Sequence, residues 1–128
     1  MHEPSQEVDA LANRIIGAAI EVHKHLGPGY LENVYEEAVC VELGLRKIPF
    51  LRQKAFAVEY KGISVGEGRT DLLVDDVLIV ELKAVTAFAP IHTAQAISYL
   101  KAMKKDLALL INFNVHFLKD GIKRVVAT

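Results

Sequence analysis

The chain has 128 residues, 52% hydrophobic and 24% charged, which is enough to bury one hydrophobic core and too little for two. Its net charge of −1 excludes a global basic field that draws in nucleic acid, and its single cysteine excludes an intramolecular disulfide and a cysteine zinc site. No apolar stretch reaches the length of a membrane span, and the N-terminus lacks a signal pattern. We therefore predict a single cytoplasmic domain over residues 1–128, with no membrane partner.

Hydrophobic periodicity predicts two helices at the start of the chain. Apolar residues recur at helical spacing over residues 6–26, and Gly27-Pro28-Gly29 ends this helix. The same spacing over residues 31–45 predicts a second helix that closes near Gly44.

Short runs of β-branched residues and leucine then predict two hairpins. The first has a turn at Lys61-Gly62 and the second a two-residue acidic turn at Asp75-Asp76. The four predicted strands are Phe50–Tyr60, Ile63–Val65, Gly68–Val74 and Val77–Val85.

The last third of the chain predicts a crossover and a final hairpin. A helix from Pro90 to about Lys104 is followed by the apolar strand Leu107–Phe113. Asp120-Gly121 then predicts a turn between the strands Val115–Leu118 and Ile122–Val126.

The strand–helix–strand crossover predicts a parallel pair of strands, namely the Glu81 strand and the Leu110 strand. The chain therefore predicts an α/β fold with a mixed β-sheet flanked by helices, in the order α-α-β-β-β-α-β-β. The apolar faces of the strands and of the crossover helix are expected to be buried, namely Leu72, Val80, Leu82, Ala96, Leu109 and Ile111.

Two carboxylates and an amine interrupt these apolar strands. Because side chains alternate along a strand, Glu81 and Lys83 share one face, and the hairpin brings Asp71 alongside Glu81. Such groups are costly to desolvate unless they pair or bind a cation. The alternative interpretation is a surface ion pair between Glu81 and Lys83 on a half-exposed strand.

The spacing D-x9-E-x-K of these residues resembles the active-site motif of the PD-(D/E)XK nuclease superfamily. This resemblance implies that Asp71 and Glu81 are metal ligands and that Lys83 is the catalytic lysine, which orients the attacking water or holds the phosphate. Carboxylate and carbonyl oxygens suit a hard cation, so the expected cofactor is Mg²⁺ or Mn²⁺.

A second motif, Gly29-x-x-Glu32-x-x-Tyr35, resembles the GxxExxY family within that superfamily, as do Glu81-Leu82-Lys83-Ala84-Val85 and Leu110-Ile111-Asn112-Phe113-Asn114. The resemblance implies a restriction-endonuclease-like fold. It also implies that Glu32 is a further metal ligand, with a first-turn carboxylate that complements the helix dipole as the alternative.

The same resemblance assigns residues to the substrate. Gln95 and Tyr99 follow the Glu-x-Lys strand at a spacing of four and are placed near the substrate phosphate, with Gln95 also counted among the catalytic residues. Tyr35, one turn after Glu32, is counted among the substrate-binding residues; its side chain is expected either to hydrogen-bond Glu32 or simply to pack.

The resulting prediction is a metal-dependent nuclease that hydrolyses phosphodiester bonds in DNA or RNA. One alternative is a catalytically inactive nucleic-acid-binding module on the same fold. Another is a protein-interaction module, such as a homodimer built on the edge of the sheet.

Overall fold

A five-stranded sheet in the order β1-β2-β3-β4-β5 forms the centre of the computed structural model, which describes residues 3–127. The strands are β1 Phe50–Tyr60, β2 Ile63–Val74, β3 Leu78–Lys83, β4 Leu107–Asn112 and β5 Ile122–Val126. The helices are α1 Gln6–Leu26, α2 Glu32–Leu45 and α3 Pro90–Met103, with a short 3₁₀ helix at Leu118–Gly121. This confirms the predicted order α-α-β-β-β-α-β-β. That order does not count the short predicted strands Ile63–Val65 and Val115–Leu118, neither of which forms a separate strand.

The strand pairing confirms the predicted crossover and the position of both hairpin turns. β3 and β4 are parallel and are joined through α3, whereas the other neighbouring strands are antiparallel. Lys61 and Gly62 have positive φ, 51° and 83°, as do Asp75 and Asp76, 50° and 60°. Lys61-Gly62 is a two-residue turn, since Tyr60 pairs with Ile63, and such a turn matches the right-handed twist of the flanking strands. The second turn has three residues rather than the predicted two, because Val74 pairs with Leu78 and Val77 joins Asp75 and Asp76 between the strands.

The sheet separates two hydrophobic clusters. The larger lies between the sheet and helices α1 and α2, and the smaller lies between the sheet and α3. All six residues predicted to be buried are at most 1% exposed: Leu72, Val80, Leu82, Ala96, Leu109 and Ile111. No helix within residues 3–127 is both long enough and apolar enough to cross a membrane.

Two predicted strand boundaries were wrong. Ile63–Val74 forms one strand instead of two, because Gly66 and Gly68 both pair with β1. The ring of Phe56 covers Gly68 so closely that a Cβ there would lie 2.3 Å from it, so an aromatic ring fills the space that glycine leaves open.

The predicted final hairpin was also wrong, since Val115–Leu118 is not a strand. A loop and the 3₁₀ helix Leu118–Gly121 lead into β5, which pairs directly with β4. Gly121 lies against the backbone carbonyl of Asn112, where a Cβ would come within 2.1 Å. The close approach of Gly121 to β4 therefore brings the chain back beside that strand without an intervening strand.

The sheet opens into a fork at Asp71. β2 pairs with β3 only over Leu72–Val74, whereas its earlier residues pair with β1 alone. Residues 54–70, which we call the β1–β2 arm, therefore extend beyond the other three strands as a two-stranded ribbon and reach α3. There Phe56 meets Tyr99 edge to face, with ring centroids 4.9 Å apart.

Candidate active site

Asp71 lies at the fork, where its side chain hydrogen-bonds to the backbone of β3 beyond the last paired residues of β2 and β3. Its Oδ2 accepts a hydrogen bond of 2.8 Å from the backbone N–H of Leu82 on β3. The carboxylate is thereby fixed beside the strand that carries Glu81 and Lys83, as the predicted hairpin implies.

Glu81 is the most buried carboxylate of this cluster. The residue is only 4% exposed, and its Oε1 has no hydrogen-bond partner among residues 3–127. Its neighbours Leu82 and Val80 point into the cluster under α1 and α2, so Glu81 faces the α3 side of the sheet. An unpartnered buried carboxyl oxygen is costly, and it is a reason to look for a ligand-binding role of this carboxyl group.

The protonation of Glu81 reflects this environment. Burial, followed by the negative charge of Asp71, raises the pKa of Glu81 from 4.5 to about 8. The hydroxyl of Thr70 and the charge of Lys83 oppose this rise in pKa only in part. Near neutral pH and without a cation, Glu81 therefore holds a proton.

Glu32 and Lys83 lie at the same end of the sheet. Partial burial and the charge of Asp71 raise the pKa of Glu32, while Lys83 and the backbone N–H of Ala84 lower it. Glu32 is the first residue of α2, so the start of that helix supplies a third carboxylate to the site. Lys83 ends β3 on the same face as Glu81 and is only partly exposed.

The helix α3 borders the site from the other side. Tyr99 is half-buried there, and burial together with the charges of Glu81 and Asp71 raises the pKa of its hydroxyl. Gln95 precedes Tyr99 by about one helical turn, shares its side of the helix and is exposed. The structure thus brings Asp71, Glu81, Lys83, Glu32 and Tyr99 together and leaves Gln95 open to solvent at the border.

The assignment of Tyr35 to substrate binding needs correction. Its ring is fully buried and stacks on Phe113, with centroids 4.5 Å apart and planes 9° apart. Its hydroxyl donates to the carbonyl of Gly27 at 2.6 Å and accepts from the N–H of Tyr30 at 3.2 Å. Tyr35 therefore ties the loop between α1 and α2 to the core, and this position does not allow contact with a substrate.

Three polar residues of the site were not identified from the sequence. Thr70 is fully buried beside Glu81, and Gln53 of β1 donates to Asp71 Oδ1 at 3.4 Å. Asn112 is 2% exposed and binds both the N–H and the carbonyl of Val85, which holds the chain just after β3. A polar residue that ends an otherwise apolar strand was the available signal for Asn112.

The carboxylates of the site suit a hard divalent cation whose remaining ligands come from water and substrate. Within residues 3–127, no group of three or more His, Cys, Asp or Glu side chains is gathered closely enough to hold a metal on its own. Mg²⁺, however, is usually held by one or two carboxylates, with water and substrate phosphate completing the octahedron. The pair Asp71 and Glu81, with its unpartnered oxygen, meets that requirement.

The raised pKa of Glu81 predicts how stability depends on pH. Between about pH 4.5 and 8 the folded protein keeps a proton that the unfolded chain releases, so the free energy of unfolding falls as pH rises through this window. The steepest slope for one such group is about 1.4 kcal/mol per pH unit. Denaturant unfolding with a chelator present, at pH 6 and pH 8, measures this slope.

The variant Glu81→Gln should flatten the slope and make the metal-free protein more stable at pH 8. Glu59→Gln, which changes an exposed carboxylate on the β1–β2 arm, is the matched control and should keep the wild-type slope. Equal slopes for wild type and Glu81→Gln would contradict the burial of a protonated carboxyl.

A mixed sheet with helices on both faces, and an Asp next to a Glu-x-Lys strand at its fork, define a nuclease-like α/β protein. The family model of the PD-(D/E)XK nuclease superfamily matches residues 9–125, so the chain belongs to this superfamily. The predicted restriction-endonuclease-like fold is thereby confirmed, whereas membership of the GxxExxY group stays a prediction. No curated protein and no solved structure matches the chain.

Proposed function

We propose that this protein is a metal-dependent nuclease that hydrolyses phosphodiester bonds in DNA or RNA. The observation that carries the proposal is the buried Glu81 carboxyl with an unpartnered oxygen beside Asp71. In an apolar sheet, this arrangement is unfavourable without a cation and becomes favourable when a cation neutralises both carboxylates.

The residues divide into metal ligands and substrate groups. Asp71 and Glu81 would hold Mg²⁺ or Mn²⁺, with Glu32 reaching the ion through a water because these three carboxylates are not gathered closely enough to hold it together. A bound divalent cation supplies the charge that activates a water and offsets the negative charge of the transition state. Lys83 orients that water or holds the phosphate from the face that it shares with Glu81.

Gln95 and Tyr99 belong to the substrate side of the site. Gln95 is exposed on α3 and its amide is available to a phosphate oxygen. Tyr99 is held by its edge-to-face contact with Phe56, so its hydroxyl stays near the two carboxylates. We therefore assign Gln95 and Tyr99 to phosphate binding rather than to the cation.

Incubation of the purified protein with plasmid, single-stranded DNA and RNA, each with and without Mn²⁺, tests the proposal. We expect cleavage of at least one of these substrates that depends on Mn²⁺ and is abolished by a chelator. Retardation of nucleic acid in a gel without any cleavage would instead support the inactive binding module. The absence of both cleavage and retardation would favour the protein-interaction module.

A further inference from the structure

Gln53 of β1 has an unusual backbone for its place in a strand. Its φ is +50°, a left-handed conformation that is unfavourable for residues with a Cβ and that strands rarely contain. The guanidinium of Arg69 donates to the carbonyl of Gln53 at 3.0 Å, which stabilises this conformation. Strained backbone next to a functional group is a reason to look for a role of the side chain.

The side chain of Gln53 bridges two carboxylates. Its Nε2 donates to Glu36 Oε1 at 3.0 Å and to Asp71 Oδ1 at 3.4 Å, the second being a long hydrogen bond. An ionised carboxylate only accepts hydrogen bonds, and an amide nitrogen has two hydrogens to donate. The amide of Gln53 therefore has one satisfactory orientation, with its nitrogen towards both Glu36 and Asp71.

Glu36 is itself anchored on α2. Arg52 donates to Glu36 Oε2 through Nε at 3.3 Å and Nη2 at 2.9 Å, and its Nη2 also reaches Glu37 Oε1 at 2.8 Å. The side chain of Glu36 is 13% exposed, whereas that of Glu37 is 65% exposed. A chain of polar contacts thus runs from α2 through Glu36 and Gln53 to Asp71.

Asp71 is consequently held from both neighbouring strands. Its Oδ1 is bound by Gln53 of β1, and its Oδ2 is bound by the N–H of Leu82 of β3. Two anchors on the two oxygens fix the plane of the carboxylate and leave further lone pairs free. Partners that orient a metal-binding side chain typically strengthen metal affinity by 10- to 100-fold.

We infer that Gln53 is a positioning residue that holds Asp71 in its orientation for a divalent cation, with Glu36 as its anchor on α2. This inference rests on the proposed function, in which Asp71 is a metal ligand. Gln53 itself touches neither cation nor substrate in this role, so its loss acts through Asp71.

The variant Gln53→Met removes the amide and keeps the length of the side chain. We expect the Kd for Mn²⁺, measured by calorimetry, to rise about tenfold. The cleavage rate should fall at low Mn²⁺ and return to the wild-type value at saturating Mn²⁺, because the catalytic groups remain. Gln6→Met, the same change at an exposed position of α1, is the control and should bind Mn²⁺ as the wild type does.

The variant Gln53→Gly separates positioning from folding. Glycine adopts a positive φ without strain, so this variant should melt close to the wild-type temperature while still binding Mn²⁺ about tenfold more weakly. In both variants the amide of Leu82 should exchange hydrogen faster in metal-free protein, since its acceptor is less firmly held. A Kd for Mn²⁺ equal to that of the wild type in both variants would overturn the inference, whatever the exchange rate of the Leu82 amide.

Failure of the proposed function can be told apart from failure of the inference about Gln53. If wild-type protein binds no Mn²⁺, the proposed function is wrong, and a role of Gln53 in metal binding is wrong with it. The Leu82 exchange rate still decides in that case whether Gln53 positions Asp71. If the wild type binds Mn²⁺ and the Gln53 variants bind it equally well, only the inference about Gln53 is wrong.

Two adjacent carboxylates on α2 give a matched pair of variants. Glu36→Gln removes the charge that orients the Gln53 amide and should weaken Mn²⁺ binding, whereas Glu37→Gln touches only Arg52 and should not. Equal effects of the two substitutions would mean that the charge of this helix, and not the contact through Gln53, affects the site.

Discussion

Replacing Lys83 with alanine is expected to lower the rate of phosphodiester cleavage by about 100-fold or more, because single preorganised electrostatic groups contribute on this scale. Mn²⁺ binding should be nearly unchanged, since Asp71 and Glu81 both remain. The side chain shares the α3-facing side of β3 with Glu81, and under the proposed function its charge would meet the substrate phosphate there. Single-turnover cleavage and Mn²⁺ calorimetry on the same preparation measure the two effects.

Lys24→Ala, an exposed lysine on α1, is the matched control for the loss of one positive charge. It should cleave at the wild-type rate. Equal rates for the wild type and Lys83→Ala would show that the activity comes from a contaminant and that the assigned role of Lys83 is wrong.

Replacing Asp71 with asparagine is expected to abolish metal binding and cleavage together. The amide oxygen of asparagine can still accept from the N–H of Leu82, although its NH₂ group replaces the oxygen that accepts from Gln53. The contact with β3 should therefore persist while the ligand charge is lost. Wild-type protein at 100 times the Kd for Mn²⁺ should gain about 2.7 kcal/mol of stability, and Asp71→Asn should lose this gain. Thermal melts with and without Mn²⁺ measure the difference.

Metal-free Asp71→Asn should be at least as stable as the wild type at pH 8, because the charge of Asp71 no longer raises the pKa of Glu81. Asp76→Asn is the matched control: this exposed residue has a φ of 60°, which asparagine tolerates. It should keep both the turn and the response to Mn²⁺. A full thermal response to Mn²⁺ in Asp71→Asn would exclude Asp71 as a ligand.

That Asp71 lies close to Glu81 could be predicted from local pattern, because a short turn joins the two strands and strand alternation fixes the face of each side chain. The exact register could not, since a two-residue turn would set Asp71 opposite Val80. Val74 instead pairs with Leu78, and this register brings Asp71 to the level of Glu81. The spacing of the apolar residues likewise predicted which faces form the core, where Leu72 and Val80 are fully buried as predicted. These features depend on neighbours a few residues away, which the sequence displays directly.

Glycine was the main source of error in the strands. The predicted strands Ile63–Val65 and Gly68–Val74 leave a break at Gly66, but Gly66 and Gly68 both pair with β1, and Phe56 of that strand covers Gly68. At Gly121 the same residue type allows close approach to the carbonyl of Asn112. Whether a glycine ends a strand or admits a neighbour depends on the partner that faces it, and that partner comes from another part of the chain.

The sequence by itself determined the succession of elements, the parallel crossover, the core faces and the meeting of Asp71 with Glu81 and Lys83. Only the tertiary structure decided that Tyr35 stacks on Phe113 in the core and that Gln53 reaches both Glu36 and Asp71. The physical reason is the range of the interactions. Turn geometry and side-chain alternation act between near neighbours, whereas burial and hydrogen bonding of a polar side chain depend on which distant segments the packed core brings against it.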